Sequence, residues 1–397
     1  MAPRILSIFG TRPEAIKMAP VVRAMQRCAP KFESLVCVTA QHREMLDQIM
    51  RSFSLTADFD LNVMQTAQSP AETAGRVLSL LPAVLRDVRP DMVLVQGDTT
   101  TTCAAAMAAF LERIPVGHVE AGLRTGDLEQ PFPEEMNRRV TTIVSTLHFA
   151  PTREACNALL KEGVPQERIV LAGNTVIDAL LQSVRSDYRF EDPALNRLPR
   201  QGKVLLVTMH RRESIGEPMR NVTDAILRIK AAHPDLTVVL PTHRNPAVRD
   251  IVEGALSGKP GIVLVDPLPY LDFVHLMARS DLIVTDSGGV QEEAPSLKRP
   301  VLVIREVTER PEGIAAGVAK LVGTDPVKIF RAVDQLLTDP DAYQAMVGTQ
   351  NPYGDGHAAE RIVDAILKWR STLPGGEALP KASAAPNELV SRAVAAV

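Results

Sequence analysis

Met92-Val93-Leu94-Val95-Gln96-Gly97-Asp98-Thr99-Thr100-Thr101-Thr102 is the stretch whose reading decides the fold. A short, unbroken apolar run is what a strand buried on both faces looks like, and a glycine directly after it lets the chain turn sharply into a helix. The four threonines then open a helix near Thr100. Working outward, the same rhythm recurs on both sides. Strands are expected at Ile5 to Phe9, Leu35 to Thr39, Met92 to Val95, Val116 to Val119 and Leu147 to Ala150, with further helices beginning near Pro13 and Glu134. A second series follows at Val204 to Thr208, Thr237 to Leu240, Ile262 to Val265, Leu282 to Thr285 and Val301 to Ile304. Strands alternating with helices predict α/β architecture, with parallel sheets covered by helices in each half.

Between the halves, Ile169 to Ala172 reads as one more strand, ending in Gly173-Asn174-Thr175 and leading to a Pro/Arg-rich stretch at Asp192 to Gly202. The expected division is therefore 1–172 for the first Rossmann-like domain and 173–357 for the second. Helices are expected near Val327 to Leu337 and Ala358 to Trp369, and 373–397, rich in Pro, Gly, Ala and Ser, reads as a flexible tail. A chain of 397 residues, 45% hydrophobic, has enough material for two cores.

The formal net charge of -3 comes from interspersed acids and bases, which argues against a nucleic-acid surface or a membrane-binding face. No apolar stretch has the length of a membrane span and the first residues do not read as a signal peptide, so a cytoplasmic protein is expected. Cys28, Cys37, Cys103 and Cys156 show no CxxC spacing, so buried thiols are expected rather than a disulfide or a zinc site.

Ligands of open parallel sheets sit beyond the carboxyl ends of the strands, so polar residues just after strands carry the functional argument. After the first strand, Gly10-Thr11-Arg12-Pro13-Glu14-Ala15-Ile16-Lys17 sets Arg12 and Lys17 in early helical turns, where acids are usual, and that conflict points to phosphate binding. Asp98 follows the third strand, where a helix cap is its ordinary use. The next strand ends in Gly117-His118-Val119-Glu120, bringing a second carboxylate to the same sheet edge. Pro131-Phe132-Pro133-Glu134 delivers a third, although glutamate in a first helical turn is usually only a dipole partner. Carboxylates gathered beside an anion site read as acid/base machinery.

In the second half, His210-Arg211-Arg212 at a strand end suggests a phosphate or developing-charge contact, with surface ion pairs the plainer alternative. Thr285-Asp286-Ser287-Gly288-Gly289 places small residues at a helix start, where backbone amides can approach a diphosphate, and Glu293 lies within reach of ribose hydroxyls. GxGxxG, GxxxxGK[ST], HExxH and GxSxG are all missing, against dinucleotide, P-loop, zincin and serine-hydrolase chemistry.

These motifs resemble those of the bacterial non-hydrolysing UDP-N-acetylglucosamine 2-epimerases, from Gly10-Thr11-Arg12-Pro13-Glu14 through Asp98-Thr99-Thr100, Glu120, Glu134, His210-Arg211-Arg212-Glu213, Asp286 to Leu297 and Thr308-Glu309-Arg310-Pro311-Glu312 to Asn351-Pro352-Tyr353-Gly354-Asp355-Gly356. The resemblance implies a GT-B-type pair of Rossmann-like domains facing across a cleft, the helix at 358–370 packing back on the first domain, and a homodimer. It implies reversible conversion of UDP-N-acetylglucosamine to UDP-N-acetylmannosamine through elimination and re-addition of UDP, with neither metal nor cofactor. Carried over motif by motif, Asp98, Glu120 and Glu134 are the acid/base candidates and His210 supports the leaving diphosphate. Arg12, Lys17, the Ser287, Gly288 and Gly289 amides, Glu293 and Arg310 would hold UDP, with Phe273 beside the uracil.

Gln41, Arg211 and His243 fall in motifs resembling an activator site for a second UDP-N-acetylglucosamine. Ala67 stands where relatives often carry arginine, so weak or absent activation is expected. A GT-B glycosyltransferase, a hydrolysing epimerase and a non-catalytic nucleotide-sugar sensor are the competing readings, because fold and nucleotide grip alone do not name a reaction.

Overall fold

The computed structural model describes residues 2–39, 43–64, 68–199, 201–211 and 214–372. Gln41, Ala67, Arg212, Glu213 and the expected tail at 373–397 lie outside them. The chain divides into two compact units, one comprising Met1–Ala179 with the chain from Gly354 onward, the other Leu180–Tyr353. The expected division at 172/173 thus differs from this one, which keeps Gly173 to Ala179 and Gly354 to His357 with the first unit.

The first unit contains a seven-stranded parallel sheet: β1 (Arg4–Phe9), β2 (Glu33–Val38), β3 (Phe59–Asp60), β4 (Met92–Gln96), β5 (Val116–Val119), β6 (Leu147–Ala150) and β7 (Ile169–Leu171). Their order is β3-β2-β1-β4-β5-β6-β7. In β1 every residue after Arg4 is buried, and β4 is buried throughout, as expected for strands covered on both faces. Between them the chain runs through α1 (Arg12–Arg27), α2 (Arg43–Ser52) and α3 (Pro70–Val88). α4 (Thr100–Leu111) is made almost wholly of small buried residues, which lets it pack between α3 and α5 (Glu134–Val144). The core gathers Leu6, Ile8, Val93 and Val95 of the sheet with Val77, Leu81 and Leu85 of α3. Beyond α6 (Arg153–Lys161) and α7 (Thr175–Ser183), this unit is completed by α15 (Ala358–Thr372), which packs against α1. Buried Asp178 accepts the first two amides of α15, Ala358 N at 3.2 Å and Ala359 N at 2.8 Å, so one carboxylate supplies the helix cap.

The second unit has a six-stranded parallel sheet: β8 (Val204–Thr208), β9 (Thr237–Pro241), β10 (Ile262–Val265), β11 (Leu282–Thr285), β12 (Val301–Val303) and β13 (Ala319–Leu321), in the order β10-β9-β8-β11-β12-β13. Its helices are α8 (Glu217–Ala232), α9 (Pro246–Leu256), α10 (Tyr270–Arg279), α11 (Gly288–Glu293), α12 (Pro311–Ala315), α13 (Pro326–Thr338) and α14 (Pro340–Val347). The stretch before β8 is fastened to α10. Buried Asp272 accepts from Tyr188 Oη at 2.6 Å and Glu191 N at 3.0 Å, while Tyr188 stacks on His275 with ring centroids 3.6 Å apart.

The two sheets share one winding: each grows outward one way from its first strand, then jumps to the other side. The reversal falls between β1 and β4 in the first unit and between β8 and β11 in the second. At such a reversal the flanking loops part, leaving a crevice at the carboxyl ends of the strands. Cys37 and Cys103 are buried as expected, whereas Cys28 and Cys156 are half-exposed; all four are free thiols. Among the described residues no helix is long and apolar enough to cross a membrane.

Candidate active site

At the β1/β4 reversal of the first unit, Gly10 follows β1 because nothing larger fits: a Cβ there would lie 1.9 Å from Thr39 Oγ1 and 2.9 Å from Thr101 Oγ1. Glu14, buried in the first turn of α1, then ties two loops together. Its Oε2 accepts Gly10 N at 3.0 Å and Thr11 N at 2.6 Å, and its Oε1 accepts the hydroxyls of Thr99 at 2.6 Å and Thr102 at 2.9 Å. Reading the sequence alone assigned Glu14 no role. The signal was its position three residues after Thr11, the spacing of a capping box.

Asp98 is not the helix cap. Thr99 takes that position, accepting Thr102 N at 3.1 Å, which leaves the Asp98 carboxylate available for other work. Arg138 Nη1 pairs with Asp98 Oδ2 at 3.0 Å, and Asn137 donates to the Asp98 carbonyl at 2.9 Å, both from α5. Burial first, then the neighbouring Glu120 charge, push the Asp98 carboxyl up to about 6, against the pull of Arg138 and Lys17. With 31% of its side-chain surface still open, Asp98 can exchange a proton with whatever sits above it.

Glu120 occupies the turn after β5 in the left-handed conformation, φ 64°, a conformation that marks function when a non-glycine residue adopts it. Lys17 Nζ reaches both of its oxygens at 2.6 Å, Gln96 Nε2 donates to Oε2, and Asn174 Nδ2 is 3.4 Å from Oε1. Lys17 is therefore paired with a carboxylate. Arg12 opens α1 at the same edge, half-buried.

Glu134 begins α5 after the cis Phe132-Pro133 bond. Its Oε2 is buried with no hydrogen-bond partner among the described residues, and its charge bears on Asp98. A carboxylate serving only as a helix-dipole partner would face water, so this one is placed for another purpose. Its neighbour Glu135 is fully buried: it accepts Thr125 N at 3.1 Å and Gly126 N at 3.3 Å while pairing with Arg138 at 3.0 Å. Sequence reasoning passed over Glu135, Asn137 and Arg138, because charged residues on a helix ordinarily read as a solvated face.

At the β8/β11 reversal of the second unit, Asp286 is the organising group. Its buried Oδ2 accepts both His210 N and Arg211 N at 2.9 Å, and Oδ1 lies 2.9 Å from His210 Nδ1. Burial works against its charge, but the His210 imidazole and the two amides outweigh it and hold the carboxyl below its ordinary range. Ser287 caps α11, and its own amide donates to Thr285 Oγ1 at 2.9 Å. Around the following glycine two guanidinium groups converge: a Cβ on Gly288 would lie 3.8 Å from Arg310 Nη2 and 3.9 Å from Arg211 Nη2. Arg310 is held by Glu292 and Arg211 by Glu309 at 3.3 Å, so both cations are anchored at their flanks. Glu293 is buried at the end of α11.

Phe273 sits half-buried in α10, and His243 is exposed after β9, its ring accepting Asn245 N at 3.1 Å. A separate cavity of about 340 Å³, bordered by Arg305, Lys320, Lys328 and Arg331, includes none of the expected site residues.

Each unit thus presents polar groups at the reversal of a parallel sheet: three carboxylates and a lysine in one, cations and glycine amides in the other. That pattern defines an α/β enzyme of the nucleotide-binding kind. The family model for UDP-N-acetylglucosamine 2-epimerase matches residues 24–367. The UDP-N-acetylglucosamine 2-epimerase of Escherichia coli (strain K12) is 51% identical over 376 residues, covering 93% of this chain and all of that protein. The crystal structure of the UDP-GlcNAc 2-epimerase from Neisseria meningitidis bound to UDP-GlcNAc has a TM-score of 0.82 and 48% identity, covering 92% of this chain and all of that one. The chain belongs to the UDP-N-acetylglucosamine 2-epimerase family. A glycosyltransferase structure with 14% identity and a TM-score of 0.64 shares the fold, relating it to the GT-B architecture.

Proposed function

We propose that this protein interconverts UDP-N-acetylglucosamine and UDP-N-acetylmannosamine by inverting C2 without net hydrolysis, as a cytoplasmic homodimer feeding polysaccharide or glycoconjugate synthesis. The observation that carries the reading is the grouping of Asp98, Glu120 and Glu134, with Asp98 pushed up to about 6, where a carboxyl can both take and give a proton near neutrality.

The C2 hydrogen of such a sugar is not acidic, so its removal has to be coupled to departure of the leaving group. A carboxylate takes the proton from C2 and the C–H electron pair becomes the C1–C2 double bond. The C1–O bond breaks and its pair leaves with UDP, giving a 2-acetamidoglucal. In the return step a protonated carboxyl delivers a proton to the opposite face of C2 while a diphosphate oxygen re-forms the bond to C1. The negative charge gained by UDP has to be met by fixed positive groups already in place. Arg310, Arg12 and the amides of Gly288 and Gly289 fit that task, the Ser287 amide being already donated to Thr285 Oγ1, and His210, oriented by Asp286, fits the oxygen that departs. Glu293 would take ribose hydroxyls and Phe273 the uracil. No step calls for a cofactor.

The test is incubation with UDP-N-acetylglucosamine in heavy water, with C2 followed by NMR. Expected are solvent deuterium at C2 and the mannosamine epimer still attached to UDP. Free N-acetylmannosamine appearing in step with UDP would indicate a hydrolysing enzyme, and turnover only with an added acceptor would indicate a glycosyltransferase.

A further inference from the structure

His118 stands in the middle of the first sheet, on β5, where an apolar residue would be usual. It is fully buried, with Val95 of β4 beside it on one side and His148 of β6 on the other. Its Nε2 lies 2.7 Å from the carbonyl oxygen of Gly97. A carbonyl only accepts, so the proton sits on Nε2 and Nδ1 carries the lone pair. Nδ1 is buried without a hydrogen-bond partner among the described residues. Burial lowers the imidazole to about 4, so the ring is neutral at pH 7. A neutral ring with half its polar capacity unmet is a costly occupant of a sheet interior, and a cost of that kind calls for a purpose.

The purpose is visible in what the bond restrains. Three successive carbonyls at the β4 turn are each held by a side chain: Gln96 O by the Thr102 hydroxyl at 2.6 Å, Gly97 O by His118, and Asp98 O by Asn137 at 2.9 Å. Gly97 itself turns with φ 74°, and its α-carbon faces Glu120, whose Oε2 would be 3.6 Å from a Cβ there. His118 is two residues before Glu120, which turns off the end of the same strand. One ring therefore spans from the strand that leads into Glu120 to the turn that carries Asp98.

We infer that His118 is a positioning residue for the reaction: its Nε2–H, by holding the Gly97 carbonyl, sets the spacing and aim of Asp98 relative to Glu120. This rests on the reading of Asp98 and Glu120 as reacting groups. A residue so placed acts on the chemical step and not on nucleotide binding, because a misplacement of one ångström can cost about 10²-fold in rate.

The test compares His118→Phe, which keeps a ring but has no donor, with His118→Gln, whose amide nitrogen can reach Gly97 O. Expected for the Phe variant are a kcat lower by about 10²-fold and UDP affinity unchanged, with the Gln variant recovering most of the loss. The pH limb set by Asp98 moves down in the Phe variant, since a relaxed turn lets Asp98 into water and away from Glu120, and returns in the Gln variant. A purely structural histidine would lower the melting temperature and leave kcat per folded molecule and the limb where they were, which overturns the inference. If the Phe variant does not fold, ¹⁵N NMR of wild-type His118 decides: protonated Nε2 is expected, and protonated Nδ1 overturns it. Full turnover by Asp98→Asn would instead remove the underlying reading of the site. An inactive Asp98→Asn beside an unimpaired His118→Phe removes only this inference.

Discussion

Lys17 Nζ lies 2.6 Å from both carboxylate oxygens of Glu120, and each side chain is mostly shielded from solvent. The resemblance assigns Lys17 to UDP, yet in this structure its cation is engaged by a carboxylate across a sheet edge. Pairs of this sort fix orientation, and removing one member leaves the other charge buried and uncompensated.

Replacing Lys17 with Met is therefore expected to lower turnover by about 10²-fold, because Glu120 loses the partner that aims it. UDP affinity, measured by calorimetry, should change by less than about tenfold, or 1.4 kcal/mol. The opposite split, with turnover kept and UDP binding lost, would return Lys17 to the role of phosphate ligand.

Arg138 restrains the charge of Asp98, so it should also set a pH limb. The Asp98 carboxyl stands at about 6, raised by burial and Glu120 and drawn down by Arg138 and Lys17. A limb near pH 6 in kcat/KM is expected, shifting upward in Arg138→Met, since removing a neighbouring cation makes the carboxylate harder to form. A profile recorded from pH 5 to 9 checks it; a limb that stays in place when Arg138 is gone would assign the titration to another group.

Asp286 answers to the opposite sign. Its carboxyl is held below the ordinary range by His210 and two backbone amides despite the cost of burial. A depressed folded-state value means that its contribution to stability is present above the unfolded value near 4 and is lost as pH falls through the folded one. Asp286→Asn should then flatten part of the acid-side loss of stability. It should also cut turnover by about 10²-fold or more, as happens when a histidine loses the carboxylate that fixes its tautomer. Urea midpoints between pH 3 and 7, with rates at pH 7.5, separate the two effects. Unchanged rates would leave Asp286 a purely structural acceptor.

Much of this arrangement is legible in the amino-acid sequence itself. β5, β6, β8, β10 and β11 coincide with the expected strands, because runs such as Leu282-Ile283-Val284-Thr285 have no other stable place than a sheet covered on both faces. β3 and β13 went unread: two residues in Phe59–Asp60, and three in Ala319–Leu321 with a lysine at the centre, are too short to show a period. Of the candidate site, the positions of Asp98, Glu120 and Glu134 were legible from their place after strands or prolines. The groups that hold them were not. Asn137, Arg138 and Glu135 lie on a helix and His118 inside a strand, and nothing local distinguishes a polar residue facing the interior from one facing water. That distinction comes from the neighbouring strand or helix, which is a property of the fold and not of the motif.

Two glycines separate a demand of the fold from a demand of the ligand. At Gly10 a methyl group would overlap the Thr39 hydroxyl, 1.9 Å from the added carbon, so Gly10→Ala is expected to destabilise the apo protein outright. At Gly288 the nearest atoms to a Cβ are Arg310 Cζ and Nη2 at 3.8 Å and Arg211 Nη2 at 3.9 Å, ordinary contact distances, and the backbone is already helical. The folded protein therefore has no need of glycine there. A diphosphate approaching the amides of Gly288 and Gly289 does, since an added methyl group would lie within 4 Å of both guanidinium groups, in the space the anion would share with them. Gly288→Ala should keep the wild-type melting temperature, or exceed it slightly because alanine is the better helix former, while weakening UDP by about tenfold or more. Calorimetric titration with UDP, beside a thermal melt of each variant without ligand, measures both quantities. UDP affinity that survives in Gly288→Ala would move the diphosphate away from these amides.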